Sequence, residues 1–251
     1  YKRQGIARME DRYFQTNIID FSETKHDKST YSIFGGSIVL EGSTLNARQF
    51  ATQGSREKMA AQIFTGTEHF RSGASKVTKD TPEPYKKVQS WLQVSYQNET
   101  YHKVSPKFTL GAYLEAYYSS RNFSNNYTAT LMQAGEFTPT AHSKVTYNEA
   151  FRANQYAGVG AMPIYQLSES FQLRGEFYGF VPIFPIKKDE YGQAYYGKAF
   201  TKFEYLGEIS LVFQLSFGSI SAYVNHYSSP SNDWNVGLTL GWQLFNSRFI
   251  E

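Results

Sequence analysis

Residues 234–251 read WNVGLTLGWQLFNSRFIE. Trp234, Val236, Leu238, Leu240, Trp242 and Leu244 take every second position, and Asn235, Gly237, Thr239, Gly241 and Gln243 fill the gaps. A period of two is a β-strand with one apolar face and one mildly polar face. The fold turns on which solvent that apolar face meets.

The pattern recurs. In EISLVFQLSF, Ile209, Leu211, Phe213, Leu215 and Phe217 oppose Ser210, Gln214 and Ser216. In FQLRGEFYGFVPIF, Phe171, Leu173, Phe177, Val181 and Ile183 oppose Gln172, Arg174 and Glu176. In KFTLGAYLEAYYSS, Phe108, Leu110, Ala112, Leu114 and Ala116 oppose Thr109, Gly111, Tyr113 and Glu115. SISAYVNHY, VQSWLQVSYQ and STYSIFGGSIVLEG follow the same rule. Segments of roughly 10–14 residues are long for globular strands and suit tilted membrane strands.

Composition narrows the class. The 251 residues fit one large domain, and 17% are aromatic, including 20 Tyr and 20 Phe. Cys is absent, which excludes disulfides and thiolate metal sites. A net charge of +3 gives no ground for nucleic acid as a partner. The mean hydropathy of −0.49 reads as soluble, and no stretch approaches the roughly 18 apolar residues of a spanning helix. A transmembrane barrel hides its hydrophobicity in alternation, so neither observation argues against one.

A soluble β-sandwich alternates too. Its outer face usually carries Lys and Glu, whereas the polar faces here are mostly Ser, Thr, Gln, Asn, Gly and Tyr. The connections also alternate. Counting back, they are SSPSND at 228–233, a tight GS near 218, the long 185–199, SES at 168–170, the very long 120–153, YHKVSP at 101–106 and the long 71–85. Short turns on one side and long loops on the other are the outer-membrane arrangement, with the C-terminus on the periplasmic side. The fold class expected is therefore all-β, an antiparallel transmembrane β-barrel in one domain over 1–251, in a bacterial outer membrane. Trp234 and Trp242, near opposite ends of the last strand, are placed in the two interfacial aromatic girdles.

Several strings resemble a known family: YTATLMQAGEFTPTAHSKVTYNEAFRANQYAGVGAMPIYQL, LRGEFYGFVPIF, AYYGKAF, YLGEISLVFQL and SAYVNHYSSPSNDWNVGLTLGWQLFNSRFIE. They are similar to the C-terminal half of patatin-like phospholipases of the Bacteroidetes type, over roughly residues 25–251. That resemblance implies an upstream patatin hydrolase acting on lipid acyl esters, a linker domain, and a barrel of the outer-membrane assembly and two-partner secretion superfamily. The function it implies is anchoring, and translocating, the hydrolase domain. The alternative is a stand-alone channel or transporter barrel. The partners implied are outer-membrane lipids and the barrel assembly machinery, with a homodimer or a larger membrane complex left open. The chain begins at Tyr1 and reads as part of a longer precursor.

The hydrolase chemistry is not expected in this chain. A patatin nucleophile sits in Gly-x-Ser-x-Gly at a strand-to-helix elbow. The nearest match is GGSIV, where Val39 replaces the last glycine and Ser37 falls mid-strand. His226 and Ser228 share a strand face but read as a solvated strand end. His26, His69, His102 and His142 lack metal-ligand spacing, and KKDEYGQ at 187–193 reads as a wet loop. No catalytic, cofactor-binding or metal residue is assigned.

Strand candidates are 10–21, 29–41, 43–53, 57–71, 86–99, 107–119, 155–167, 171–184, 199–215, 219–227 and 233–247, about eleven or twelve in all. In the resembled superfamily the barrel has about sixteen strands and its longest external loop precedes the last five. Here 120–153 also precedes five strands, so this chain reads as the C-terminal two-thirds of such a barrel, or else as a complete 10- or 12-stranded one. The same superfamily folds that loop into the lumen, where an Arg meets an acidic residue of the wall. AFRANQY supplies Arg152, although Ala153 stands where the family has Gly. A lumenal pair between Arg152 and Glu176 is expected, with Glu208 and Glu115 as rivals and an external-loop arginine in water as the alternative.

Overall fold

The computed structural model describes residues 2–13, 26–73, 85–229 and 234–242. Strands make up 66% and helices 6%, which places the chain in the all-β class. The strands are β1 (Lys2–Tyr13), β2 (Asp27–Ser43), β3 (Gly54–Arg71), β4 (Tyr85–Lys103), β5 (Phe108–Ser119), β6 (Gly135–Glu136), β7 (Arg152–Ala153), β8 (Gln155–Gln166), β9 (Phe171–Pro182), β10 (Ile186–Lys188), β11 (Ala194–Tyr196), β12 (Glu204–Leu215), β13 (Gly218–Tyr227) and β14 (Trp234–Trp242). One helix, α1 (Tyr127–Gln133), lies between β5 and β6. Among the described residues no helix is long and apolar enough to cross a membrane.

Ten strands form one antiparallel meander in the order β1-β2-β3-β4-β5-β8-β9-β12-β13-β14. The pairs β6–β7 and β10–β11 stand apart as two-stranded ribbons within connections. Five sheet strands follow the longest connection, as the sequence suggested. The first strand starts at Lys2 rather than at Glu10; 14–21 of that expected strand lie outside the described residues, as do 243–247 of the expected last strand.

One expected strand is absent. Of the expected 43–53, only Ser43 stays in the ladder, and 44–53 leave it and fold inward. The Asn46 side chain closes this turn: its Oδ1 accepts from the Thr52 and Gln53 amides at 3.0 and 3.1 Å, and its Nδ2 donates to Thr52 Oγ1 at 2.9 Å. This is the local competition by which Asn breaks a ladder. Gly54 ends the turn at φ +93°, where a Cβ would sit 2.2 Å from the Thr44 carbonyl oxygen, so only glycine fits.

The sheet curls around this turn and around residues 120–154. From 44–53, between β2 and β3, contacts reach β9, β12 and β13: the Phe50 carbonyl accepts from Gln214 Nε2 (3.2 Å), and Ser219 Oγ donates to Gln49 Oε1 (3.1 Å). Gln49 also lies against Gly241 of β14. From α1, Gln133 Nε2 donates to Asp11 Oδ2 of β1 at 2.6 Å. The inner face carries Gln172, Arg174, Glu176, Glu208, Ser210 and Asn225, all buried. The outer face carries Phe34, Ile38, Ile63, Leu92, Leu114, Val159, Phe177, Ile209, Val236 and Leu238, all exposed. The usual globular order is thus inverted: Leu238 is 81% exposed and Arg174 1%.

Candidate functional site: the filled interior

Residues 120–154 enter the curled sheet from the end where β5 and β8 meet their long connection. Asn126 caps α1, its Oδ1 accepting from the Ala129 amide at 2.8 Å. Seven residues are too few to hold a helix alone, so packing of Ala129, Thr130 and Leu131 fixes it. Beyond it, Phe137 inserts among wall aromatics. Its ring centroid lies 5.5 Å from Phe180, 6.0 Å from Tyr156, 6.2 Å from Tyr113 and 6.3 Å from Tyr178. The wall makes room for it: a Cβ on Gly158 would fall 2.2 Å from the Phe137 ring.

Three polar clusters fasten the insertion and the 44–53 turn. In the first, Arg174 Nη1 donates to the Ala51 carbonyl (2.9 Å) and Gln172 Oε1 (3.0 Å), while its Nε reaches Glu176 Oε1 at 3.2 Å. The Tyr178 hydroxyl donates to the other Glu176 oxygen at 2.9 Å. In the second, Arg121 lies over the Trp91 and Tyr31 rings, at 4.5 and 5.2 Å, and donates to Gln133 Oε1 at 2.8 Å. Burial pulls the Arg121 pKa below its ordinary value, and the nearby Glu68 opposes that shift.

The third cluster joins residues that the sequence keeps far apart. His142 Nδ1 lies 2.6 Å from Glu208 Oε1, and its Nε2 lies 3.4 Å from Ser221 Oγ. Asn225 Nδ2 donates to the second Glu208 oxygen at 3.4 Å, and the His142 ring stacks on Tyr223 at 3.6 Å. Serine, histidine and carboxylate stand in the connectivity of an acyl-transfer triad. All three are buried, however, and His142 belongs to the insertion. Any movement that opened a path to Ser221 would carry the base away. The cluster clamps the insertion to β12 and β13.

The expected pair of Arg152 with Glu176 is not formed. Arg152 is nearly buried and binds Glu136, Nη2 to Oε2 at 2.7 Å; the two residues face each other across the β6–β7 ribbon. Its Nη1 also donates to the Leu131 and Met132 carbonyls, at 3.3 and 3.2 Å, at the C-terminal end of α1, where a cation is favoured. Glu176 is taken by Arg174, two residues away on the same face. Of the rivals, Glu208 holds His142, and Glu115 accepts from the Tyr113 and Tyr156 hydroxyls.

The other sequence candidates are dispersed. Trp234 is exposed on the outer face, 4.8 Å from His226, which in turn stacks 5.9 Å from Tyr205. Trp242 pairs with Gly218 at the opposite end of β14. Ser228 bonds Glu204 and does not meet His226. Ser37 sits mid-strand between Arg3 and Gln62 in the ladder, away from any elbow. Residues 187–193 form the tip of the β10–β11 hairpin, whose Gly192 carbonyl accepts from the Tyr127 amide at 2.9 Å. Among the described residues no three His, Cys, Asp or Glu converge as a metal site. No family model matches the chain, and no curated protein or solved structure does either.

Proposed function

We propose that the chain is a membrane-spanning β-barrel that serves as a plugged anchor. The observation that carries this is the inverted sheet. Fully burying a side chain such as Leu238 or Val236 is worth about 1.5–3 kcal/mol, and soluble monomers rarely expose apolar patches beyond a few hundred Å². An outer band that repeats on nine of the sheet strands, from β2 to β14, calls for an apolar solvent. In lipid the edges of a sheet must also be satisfied, so β1 and β14 join in this reading. The contacts from 44–53 to β13 and β14 bring the two edges to one side of the molecule, which supports closure at ten strands over a wider barrel. In this reading the connections 44–53, 104–107, 167–170 and 216–217, which share one end of the meander, lie on the periplasmic side of an outer membrane.

Anchor is preferred to channel because the interior is occupied by residues 120–154 from one end and 44–53 from the other. The resemblance to patatin-like phospholipases supports a lipid acyl hydrolase as the domain anchored. Two measurements test the reading. The protein should leave the membrane fraction only with detergent and show heat-modifiable gel migration; a folded chain in detergent-free buffer refutes the barrel. The mature polypeptide should have a mass well above 28.7 kDa. A mature mass at that value, with a steady open conductance in a planar bilayer, favours the stand-alone channel.

A further inference from the structure

Outside the barrel, at the long-connection end of β1 to β4, the outward face turns abruptly basic. Arg12, Lys28 and Arg71 stand directly opposite one another in a single row across three strands. One rung inward, His69 faces Lys86. Arg8, Lys28, Arg71 and Lys86 line an open hollow of about 540 Å³, with Thr30, Ser32 and His69. Like charges placed directly opposite across strands destabilise a sheet. One carboxylate answers them: Glu10 bonds Lys28 at 2.7 Å and Arg12 at 2.9 Å. Arg8, Arg71 and Lys86 have no acidic partner among the described residues. Among the described residues the arrangement is short of negative charge.

The position of the hollow identifies the source. On the same outward face, Phe34 lies two residues along β2 from Ser32, and Val88 two residues along β4 from Lys86. That is about 7 Å of strand, so the cations end where the apolar band begins. A soluble anion has no need of that adjacency, whereas an amphiphile with a phosphate head and an acyl tail matches both halves.

We propose that this hollow binds the phosphate of an anionic lipid headgroup, with the acyl chains lying along Phe34 and Val88. The inference rests on the membrane-barrel reading. The test uses the full chain in maltoside micelles, with native mass spectrometry counting bound dioleoyl phosphatidic acid against dioleoyl phosphatidylcholine. The triple variant Arg8→Ala/Arg71→Ala/Lys86→Ala should lose its preference for phosphatidic acid by on the order of a hundredfold, and Arg71→Ala alone by about fivefold. Lys103→Ala/Lys107→Ala, at the other end of the sheet, should keep it. Equal preference in wild type and triple variant overturns the site, as does equal loss in the Lys103/Lys107 variant, which would reduce the effect to net charge. Inorganic phosphate displacing the lipid at equal concentration overturns the lipid assignment. Heat-modifiable migration is read on every sample, and the single variant decides if the triple variant fails to fold. Sedimentation in detergent-free buffer separates the two levels: a chain that stays folded and monodisperse there refutes the barrel, whereas an insoluble chain without lipid preference refutes only the site.

Discussion

Glu208 and His142 meet at 2.6 Å although 66 residues separate them, and Ser221 and Asn225 complete the ring of polar atoms. Removing one member of such a buried set strands the others. His142→Ala leaves the Glu208 carboxylate with Asn225 at 3.4 Å, and the expected loss is up to about 3–5 kcal/mol. The readout is a lower temperature of the gel-migration shift, together with new protease cleavage within 137–150. Unchanged values for both would mean that the insertion is held without this clamp. The same residues give a second check, because the isolated chain should not turn over a p-nitrophenyl acyl ester. Turnover abolished by Ser221→Ala would make the trio catalytic rather than structural. None of this was legible in the sequence, since His142 lies on a connection and nothing in its neighbours names β12 or β13. Inward placement of Glu176, Glu208 and Glu115 was legible, because strand parity decides it. Their partners were not, because parity fixes a face and leaves the opposing surface open.

At the scale of elements, β14 is the strand from which the fold was first read. Val236, Leu238 and Leu240 are exposed on its outer face, and Thr239 is turned the other way. A charge at the centre of a lipid-facing strand costs about 2–4 kcal/mol, while lumenal substitutions are mild. Leu238→Arg should therefore impair assembly in membranes far more than Thr239→Arg; equal yields of heat-modifiable protein would reverse the assignment of faces. On β8, Gly158→Leu should displace Phe137 from its aromatic nest. The expected loss is about 1–3 kcal/mol, with protease sensitivity confined to the insertion. Alternation identified these strands correctly and misled at 43–53. Leu45, Ala47, Gln49 and Ala51 look alternating in STLNARQFA, yet Asn46 and Gly54 outrank the pattern through one side chain and one φ angle. The basic rows of β1 to β4 escaped notice for a different cause: Arg12, Lys28 and Arg71 become neighbours only once the register is known.

For the molecule as a whole, a sheet filled from both ends should not conduct. Wild-type protein in a planar bilayer should be electrically quiet, and removal of residues 137–150 should produce discrete openings. A wild-type chain that conducts as well as the deletion would show that the filling does not block the interior of the curled sheet. The overall plan was largely readable beforehand: β-rich, antiparallel, apolar outward, with connections long on one side and short on the other. Closure is a different matter, because it depends on where distant pieces of chain end up rather than on any local rhythm.

That dependence bears on the speed of folding. The hydrogen bonds that the 44–53 turn makes to Arg174, Gln214 and Ser219 span 123, 164 and 170 residues of chain. Neighbouring strands of a meander can zip up in sequence, but these contacts wait until the last hairpins exist, and high contact order slows folding. The turn therefore behaves as a latch thrown at the end. Until it closes, the curled sheet lacks these cross-links, and its strand edges are more open to pairing with another copy of itself.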